Sequence, residues 1–230
     1  QLLPYTGYGR KSLEVSDRVL KQLQVLALET GTTMGVALQA ALSLLLSRFT
    51  GDQDVLFGTV RSLRRNALNG EAEHITGLLI NTLPLRVQLN DECSVAELLG
   101  QLKAQNQALR GHSHISLIDI QGQSEIPRGR PLFETLLMFD SQEINRTLRE
   151  TGDPRWNSSQ ITVHEQPSLP LTFTVFHGDR LEVRVLFDRR RFTEAVADRI
   201  ALSFATILDQ LSQGATKLLG TIDALPDEER

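Results

Sequence analysis

The 230-residue sequence has little of several residue types that mark particular classes of protein. Its single cysteine, Cys93, excludes a disulfide framework and a cysteine-based metal site, and this favours a reducing, cytoplasmic setting. The formal net charge of −4 argues against the basic surface field of a dedicated nucleic-acid-binding protein. The most apolar stretch, residues 34–49, is short and interrupted by polar side chains, so we expect a buried core helix and no membrane span.

The motifs by which many enzymes bind phosphate or activate a serine are missing, since no GxxxxGK[ST], GxGxxG or GxSxG pattern occurs. His112 and His114 lie two residues apart, but they have no third ligand nearby, so no metal site is predicted. Asp119 follows them, which leaves two interpretations of this segment. One is a His–Asp pair for proton transfer; the other, which we favour, is a capped turn that packs Leu117 and Ile120.

Three arginines, Arg61, Arg64 and Arg65, are close together after a predicted strand. Guanidinium groups bind phosphate well, so an anion-binding site is one interpretation of this cluster. The other interpretation, which composition alone favours, is a solvated loop whose charges face water.

The residues that are present indicate one compact α/β lobe. Residues with the properties of helix N-caps precede apolar stripes of helical period, at Ser16, Thr32 or Thr33, Ser94 and Thr193. Short apolar or alternating runs predict strands at 54–60, 78–87, 136–139, 161–163, 171–175 and 181–187. The order of these elements predicts a mixed sheet with flanking helices, in which the last three strands form a meander.

Five segments occur in an order that is typical of a known family. They are DVLFGTVRS at 54–62, ITGLLINTLPLRV at 75–87, HISLIDIQ at 114–121, RGRPLFETLLMFDS at 128–141 and the closing LPDEER. The second segment contains Gly77, Asn81, Thr82 and Arg86. In sequence and order these segments resemble motifs of nonribosomal peptide synthetase condensation domains, and LPDEER resembles the linker that precedes an adenylation domain.

The resemblance implies a single lobe of the chloramphenicol-acetyltransferase-like fold. Two departures from the family pattern matter. Leu63 stands after Ser62 where the family has glycine, and the catalytic signature (two adjacent histidines, three residues, then Asp-Gly) is absent. That signature belongs to the N-terminal lobe, so the chain resembles the C-terminal lobe alone. We expect an inter-lobe linker at 1–14, the lobe at 15–215 and a linker towards an adenylation domain at 216–230.

In the family two lobes enclose a tunnel, where the amine of an acceptor aminoacyl group attacks a donor thioester. Both substrates are carried on the phosphopantetheine arms of peptidyl carrier proteins, so the resemblance implies no directly bound cofactor. It places Ser62, Asn81, Thr82 and Arg86 in or beside the tunnel wall, although Arg86 fits a structural salt bridge equally well.

Five further motif positions receive no definite role from the resemblance. They are Gly77, His114, Asp119, Pro131 and Phe133.

The expected partners are the N-terminal condensation lobe, peptidyl carrier proteins and an adenylation domain, with no nucleic acid and no membrane. Because no catalytic residue is assigned to this chain, we expect it to be inactive alone. One alternative is a non-catalytic half-domain that serves as a docking scaffold for an adenylation domain or a carrier protein. A weaker alternative is a stand-alone acyltransferase that uses His112 or His114.

Overall fold

The computed structural model describes residues 7–63, 77, 79–127, 129–140, 167–177 and 180–225. The strands of the sheet are β1 (Tyr8–Val15), β2 (Asp54–Ser62), β3 (Ile80–Gln88), β4 (Thr135–Asp140), β5 (Leu171–His177) and β6 (Leu181–Asp188). The helices are α1 (Asp17–Glu29), α2 (Met34–Thr50), α3 (Val95–Arg110), α4 (Leu117–Gly122) and α5 (Glu194–Ser212), followed by a short 3₁₀ turn at Leu219–Thr221.

The six strands form one sheet in the order β1-β6-β5-β4-β2-β3. β4 runs parallel to both β2 and β5, and the other neighbouring pairs are antiparallel. The prediction of a mixed sheet with flanking helices is therefore confirmed. Of the predicted meander, β5 and β6 are present, whereas the expected strand at 161–163 lies outside the described residues.

Both ends of the chain take part in the lobe beyond the expected boundaries. Residues 8–15, most of which we assigned to a linker, form edge strand β1, which pairs along its whole length with β6. In the expected linker at 216–230, Leu219 and Ile222 are each 1% exposed and belong to the hydrophobic core. The lobe therefore includes residues on both sides of the range 15–215.

Hydroxyl side chains begin the helices as the sequence indicates. An acceptor oxygen on each N-cap binds the backbone N–H three residues on, at Ser16, Thr33, Ser94 and Thr193. At α3 a second hydrogen bond runs the other way: the Glu97 side chain accepts from the backbone N–H of Ser94 at 2.7 Å. The two bonds together form the predicted capping box.

Replacing Ser94 with alanine is expected to lower the free energy of unfolding by about 1 kcal/mol at neutral pH, because one helix N–H loses its acceptor. Hydrogen bonds from the Ser94 backbone and hydroxyl hold the pKa of Glu97 below its ordinary value. This stabilisation is present above the unfolded-state pKa of Glu97 and is lost as pH falls through the lower folded-state value. Urea titrations should therefore show a difference that shrinks in acid, whereas the exposed control Ser12→Ala should leave stability unchanged.

The two faces of the sheet differ in what covers them. Every strand residue in the main hydrophobic core is odd-numbered, because side chains alternate along a strand and the pairing keeps odd residues opposite one another. Helices α1, α2, α3 and α5 contribute most of the remaining core, so we call this side the helix face. The even-numbered residues form the second face, which contributes no strand residue to the core cluster.

No single helix among the described residues is both long and apolar enough to cross a membrane. In the described part of the chain, one bent pair, α1 and α2 with 107° between them, meets that test by length and composition.

Candidate functional site

The strand register divides the predicted tunnel residues between the two faces. Ser62, Thr82 and Arg86 have even numbers on paired strands, and they lie on the second face. Ser62 pairs with Ile80 and is exposed, while Thr82 pairs with Val60 and is half-buried. Ser62 and Thr82 are therefore diagonal neighbours on this face, whereas Asn81 points to the helix face.

Arg86 lies in an ion pair at the start of β2. Its Nε donates to Asp54 at 2.9 Å and its Nη2 donates at 2.6 Å, and both side chains are well exposed. The Arg86 hydrogen bond holds the pKa of Asp54 below its ordinary value. Of the two roles that the sequence left open for Arg86, this geometry matches the structural salt bridge, which joins β2 and β3.

Asn81 anchors the loop that follows α3. Its side-chain amide donates to the carbonyl oxygens of Ser113 and Ile115 at 2.8 and 2.7 Å, and its Oδ1 accepts from the backbone N–H of Thr82 at 2.9 Å. The two carbonyls stand on either side of His114, so one side chain fixes the backbone on both sides of that residue. Asn81 is thus a positioning residue between β3 and the α3–α4 loop.

The segment 112–121 differs from the capped turn that the sequence predicted. It contains the short helix α4, capped by Ser116, and neither Leu117 nor Ile120 is fully buried. Asp119 accepts a hydrogen bond from the Ser116 hydroxyl at 2.6 Å, so its described partner is a capping residue and not a histidine. His114 is exposed, and Ile118 on α4 is 82% exposed.

Phe133 packs against a glycine in the middle of β2. A Cβ atom on Gly58 would lie only 2.3 Å from the Phe133 ring and 3.0 Å from Leu136, so only glycine fits beneath the ring. Phe133 is 6% exposed, whereas Pro131 is exposed. This contact fixes the segment before β4 on the second face of the sheet.

Gly77, the remaining motif glycine, has a backbone φ of 147°. This positive angle favours glycine over any residue with a Cβ atom.

A cavity of about 330 Å³ opens on the second face near the middle strands. Its lining includes apolar side chains of β4 and β6, namely Leu136, Met138 and Leu186, together with the hydroxyl-bearing Thr172. Thr172 is 1% exposed, and its hydroxyl has no hydrogen-bond partner among the residues that the structure describes. An apolar pocket with one unsatisfied hydroxyl suits a ligand that is mostly apolar and has one polar atom.

Sequence reasoning missed Thr172, Gly58 and Ile118 as parts of the site. Thr172 lies in an alternating strand that we expected only to pack the sheet, and no local pattern distinguishes its hydroxyl. For Ile118, which is 82% exposed, the available signal was its neighbour Asp119, a charged residue that is exposed as well. Within the described ranges, no group of three or more His, Cys, Asp or Glu side chains is placed to hold a metal ion.

A mixed sheet with helices on one face and a motif-bearing second face defines a single chloramphenicol-acetyltransferase-like lobe. The condensation-domain family model matches residues 6–230. The chain therefore belongs to the condensation-domain family, as the sequence motifs indicated.

Curated relatives are large synthetases. The chain is 33% identical to a linear gramicidin synthase polypeptide of Brevibacillus parabrevis, over 97% of its own length and 4% of that protein. It is 30% identical to surfactin synthase subunit 3 of Bacillus subtilis (strain 168), covering 97% of the chain and 18% of the relative. The chain thus spans a small part of each of these relatives.

Solved structures share the fold at lower identity. A four-domain nonribosomal peptide synthetase bound to AMP and glycine superposes with a TM-score of 0.82 at 14% identity, over 96% of this chain and 18% of that one. The first condensation domain of the CDA synthetase gives 0.77 at 17% identity, over 98% of this chain and 49% of that one. The described lobe therefore corresponds to about half of that condensation domain.

Proposed function

We propose that the chain is the C-terminal half of a nonribosomal peptide synthetase condensation domain and forms one wall of its substrate tunnel. The observation that carries this proposal is the second face of the sheet. It bears Ser62 and Thr82 as neighbours, holds the 330 Å³ cavity and, among the described residues, contributes no strand residue to the main core cluster. The 49% coverage of the CDA synthetase domain supports the presence of a second lobe opposite this face.

The reaction at this wall joins two carrier-bound groups. The acceptor amine nitrogen attacks the carbonyl carbon of the donor thioester; a C–N bond forms, the C–S bond breaks, and the amine proton passes to the departing thiolate. The family's paired histidines belong to the other lobe, so this chain contributes by holding the reactants in position. Such positioning accounts for a large part of catalysis in a two-substrate reaction.

The same proposal assigns distinct tasks to different parts of the lobe. The cavity beside Thr172 accepts the side chain of a carrier-bound aminoacyl group, because its walls are apolar and its size suits a small organic group. Helix α4 offers a carrier protein an exposed apolar contact at Ile118, and Asn81 fixes the loop that leads into that helix. Carrier proteins are thus the partners at α4, and the phosphopantetheine arm brings the thioester to the tunnel.

Reconstitution tests the proposal. We expect an amide product on the acceptor carrier, detected by mass spectrometry, when the chain is mixed with a purified N-terminal lobe and two loaded carrier proteins. Either lobe alone should give none. If the two lobes form a complex that yields no product, the tunnel proposal fails and the docking-scaffold alternative is favoured.

A pair of matched variants links the product to the second face. Thr82→Trp should lower the rate of product formation by at least about tenfold, since an indole on this wall displaces the reactants. Thr50→Trp introduces the same ring at an exposed position at the end of α2 and should leave the rate unchanged. Equal rates for the two variants would show that Thr82 does not face the substrates.

A further inference from the structure

A separate cleft of about 260 Å³ lies on the helix face, where the start of α2, the second half of α3 and the ends of β2 and β4 meet. We call it the basic cleft and define it by Thr33, Arg61, Lys103, Asn106 and Arg110, which are among its lining residues. Because it opens on the side opposite Thr82, it is distinct from the proposed tunnel wall.

The charge of the basic cleft has one sign. Arg61, Lys103 and Arg110 all line it, and none of its lining residues in the described part of the chain is an aspartate or a glutamate. Burial and the nearby charge of Arg110 hold the pKa of Arg61 below its ordinary value. Three cations therefore gather in one cleft at an electrostatic cost that an anion would remove.

Neutral amides hold Arg61 in place. Its Nη2 donates to Asn106 Oδ1, and Asn106 in turn donates to Gln39 Oε1 at 2.6 Å. Arg61 Nε is buried and finds no hydrogen-bond partner within the described part of the chain. The guanidinium is thus fixed and keeps an unused donor, which differs from the solvated loop that composition favoured for this residue. Arg64 and Arg65, the other members of that cluster, lie outside the described residues.

The start of α2 adds to the positive potential. This helix is 17 residues long, its N-cap Thr33 and its second residue Gly35 line the cleft, and a helix N-terminus has a partial positive charge that attracts anions. Lys103 extends over the α1–α2 turn, with its Nζ only 3.4 Å from the position of a Cβ on Gly31. Cationic groups therefore approach the cleft from a strand, a helix side and a helix end.

We propose that the basic cleft binds a phosphate group. A phosphate ester offers several terminal oxygens to donors that come from different directions, whereas a carboxylate offers only two and has a single charge. The cleft is larger than phosphate alone, so it also admits part of an organic group attached to it. This inference does not rest on the proposed function, because the cleft belongs to this chain alone and its occupancy is measured without the second lobe.

Calorimetric titration of the full 230-residue chain with inorganic phosphate tests the site, with ionic strength held constant by chloride. We expect saturable binding that Lys103→Gln and Arg110→Gln each weaken about tenfold, as for the loss of one charge-assisted hydrogen bond. Lys217→Gln is the matched control, because Lys217 lies outside the cleft and contacts Gln213. Absence of saturable binding, or equal weakening by all three substitutions, would overturn the proposal.

A second titration distinguishes the two sources of a phosphate group. Pantetheine 4′-phosphate should bind more tightly than inorganic phosphate if the cleft receives a carrier arm, and no more tightly if it receives a free phosphate. Unphosphorylated pantetheine should not bind in either case. Pantetheine that binds as tightly as its phosphate ester would show that phosphate is not what the cleft recognises.

Discussion

Replacing Gly58 with alanine is expected to lower the free energy of unfolding by about 2–3 kcal/mol, because the new methyl group overlaps the Phe133 ring. The Cβ position lies 2.3 Å from one ring carbon and 2.7 Å from another. Gly58 also pairs with Pro84 on β3 and with Leu136 on β4, so the strand cannot move away without disturbing both neighbours. Urea denaturation followed by circular dichroism measures the loss.

Three further variants, Gly100→Ala, Phe133→Leu and the double variant Gly58→Ala/Phe133→Leu, show whether the contact itself is responsible. Gly100→Ala is the matched control, because no described atom beyond its chain neighbours and its own helix backbone lies within 4 Å of its Cβ position, and the residue is exposed on α3. It should raise stability by about 1 kcal/mol through helix propensity. The double variant Gly58→Ala/Phe133→Leu replaces the ring with a smaller side chain. Its loss in the free energy of unfolding should be smaller than the sum of the losses from the two single changes. Full additivity would mean that Phe133 does not determine the need for glycine.

The fold could be predicted where one short-range signal decided each element. Ser94 and Glu97 fixed the start of α3, and the alternation in 181–187 fixed β6, because both signals act within a few residues. Edge strand β1 was missed because Gly9 and Lys11 interrupt the apolar side of its alternation, and its pairing partner is about 170 residues away. Long-range pairing of this kind leaves no local pattern to find.

The candidate site was predictable as a set of motif residues, but their roles were not. Strand alternation alone implies that Asn81 and Thr82 face opposite ways. The partners of Asn81 are backbone carbonyls more than thirty residues away, which no side-chain pattern reveals. The basic cleft was also predictable only in part. Lys103 and Arg110 share one face of α3, which helical spacing indicates, but tertiary packing brings Arg61 to them.

The largest effect on the α3–α4 loop is expected from Asn81→Asp, which has the same shape as the native side chain but no donor. A carboxylate oxygen would then face the carbonyl oxygens of Ser113 and Ile115, and both carbonyls would lose their hydrogen bonds. We expect backbone amides of α4 to exchange with deuterium about 100-fold faster, which corresponds to about 2.7 kcal/mol. Hydrogen-exchange mass spectrometry of peptides covering 113–122 measures this change.

The controls separate loop release from general damage. Asn90→Asp is the same substitution at an exposed position where the side-chain oxygen accepts from the Glu92 backbone N–H, a bond that aspartate keeps. It should leave exchange in α4 unchanged, while Asn81→Ala should give an intermediate acceleration because it removes the donors without adding charge. Protection in β5 should stay native in all three variants. If α4 exchanges at the native rate in Asn81→Asp, then Asn81 does not hold the loop, and its proposed part in presenting α4 to a carrier protein fails as well.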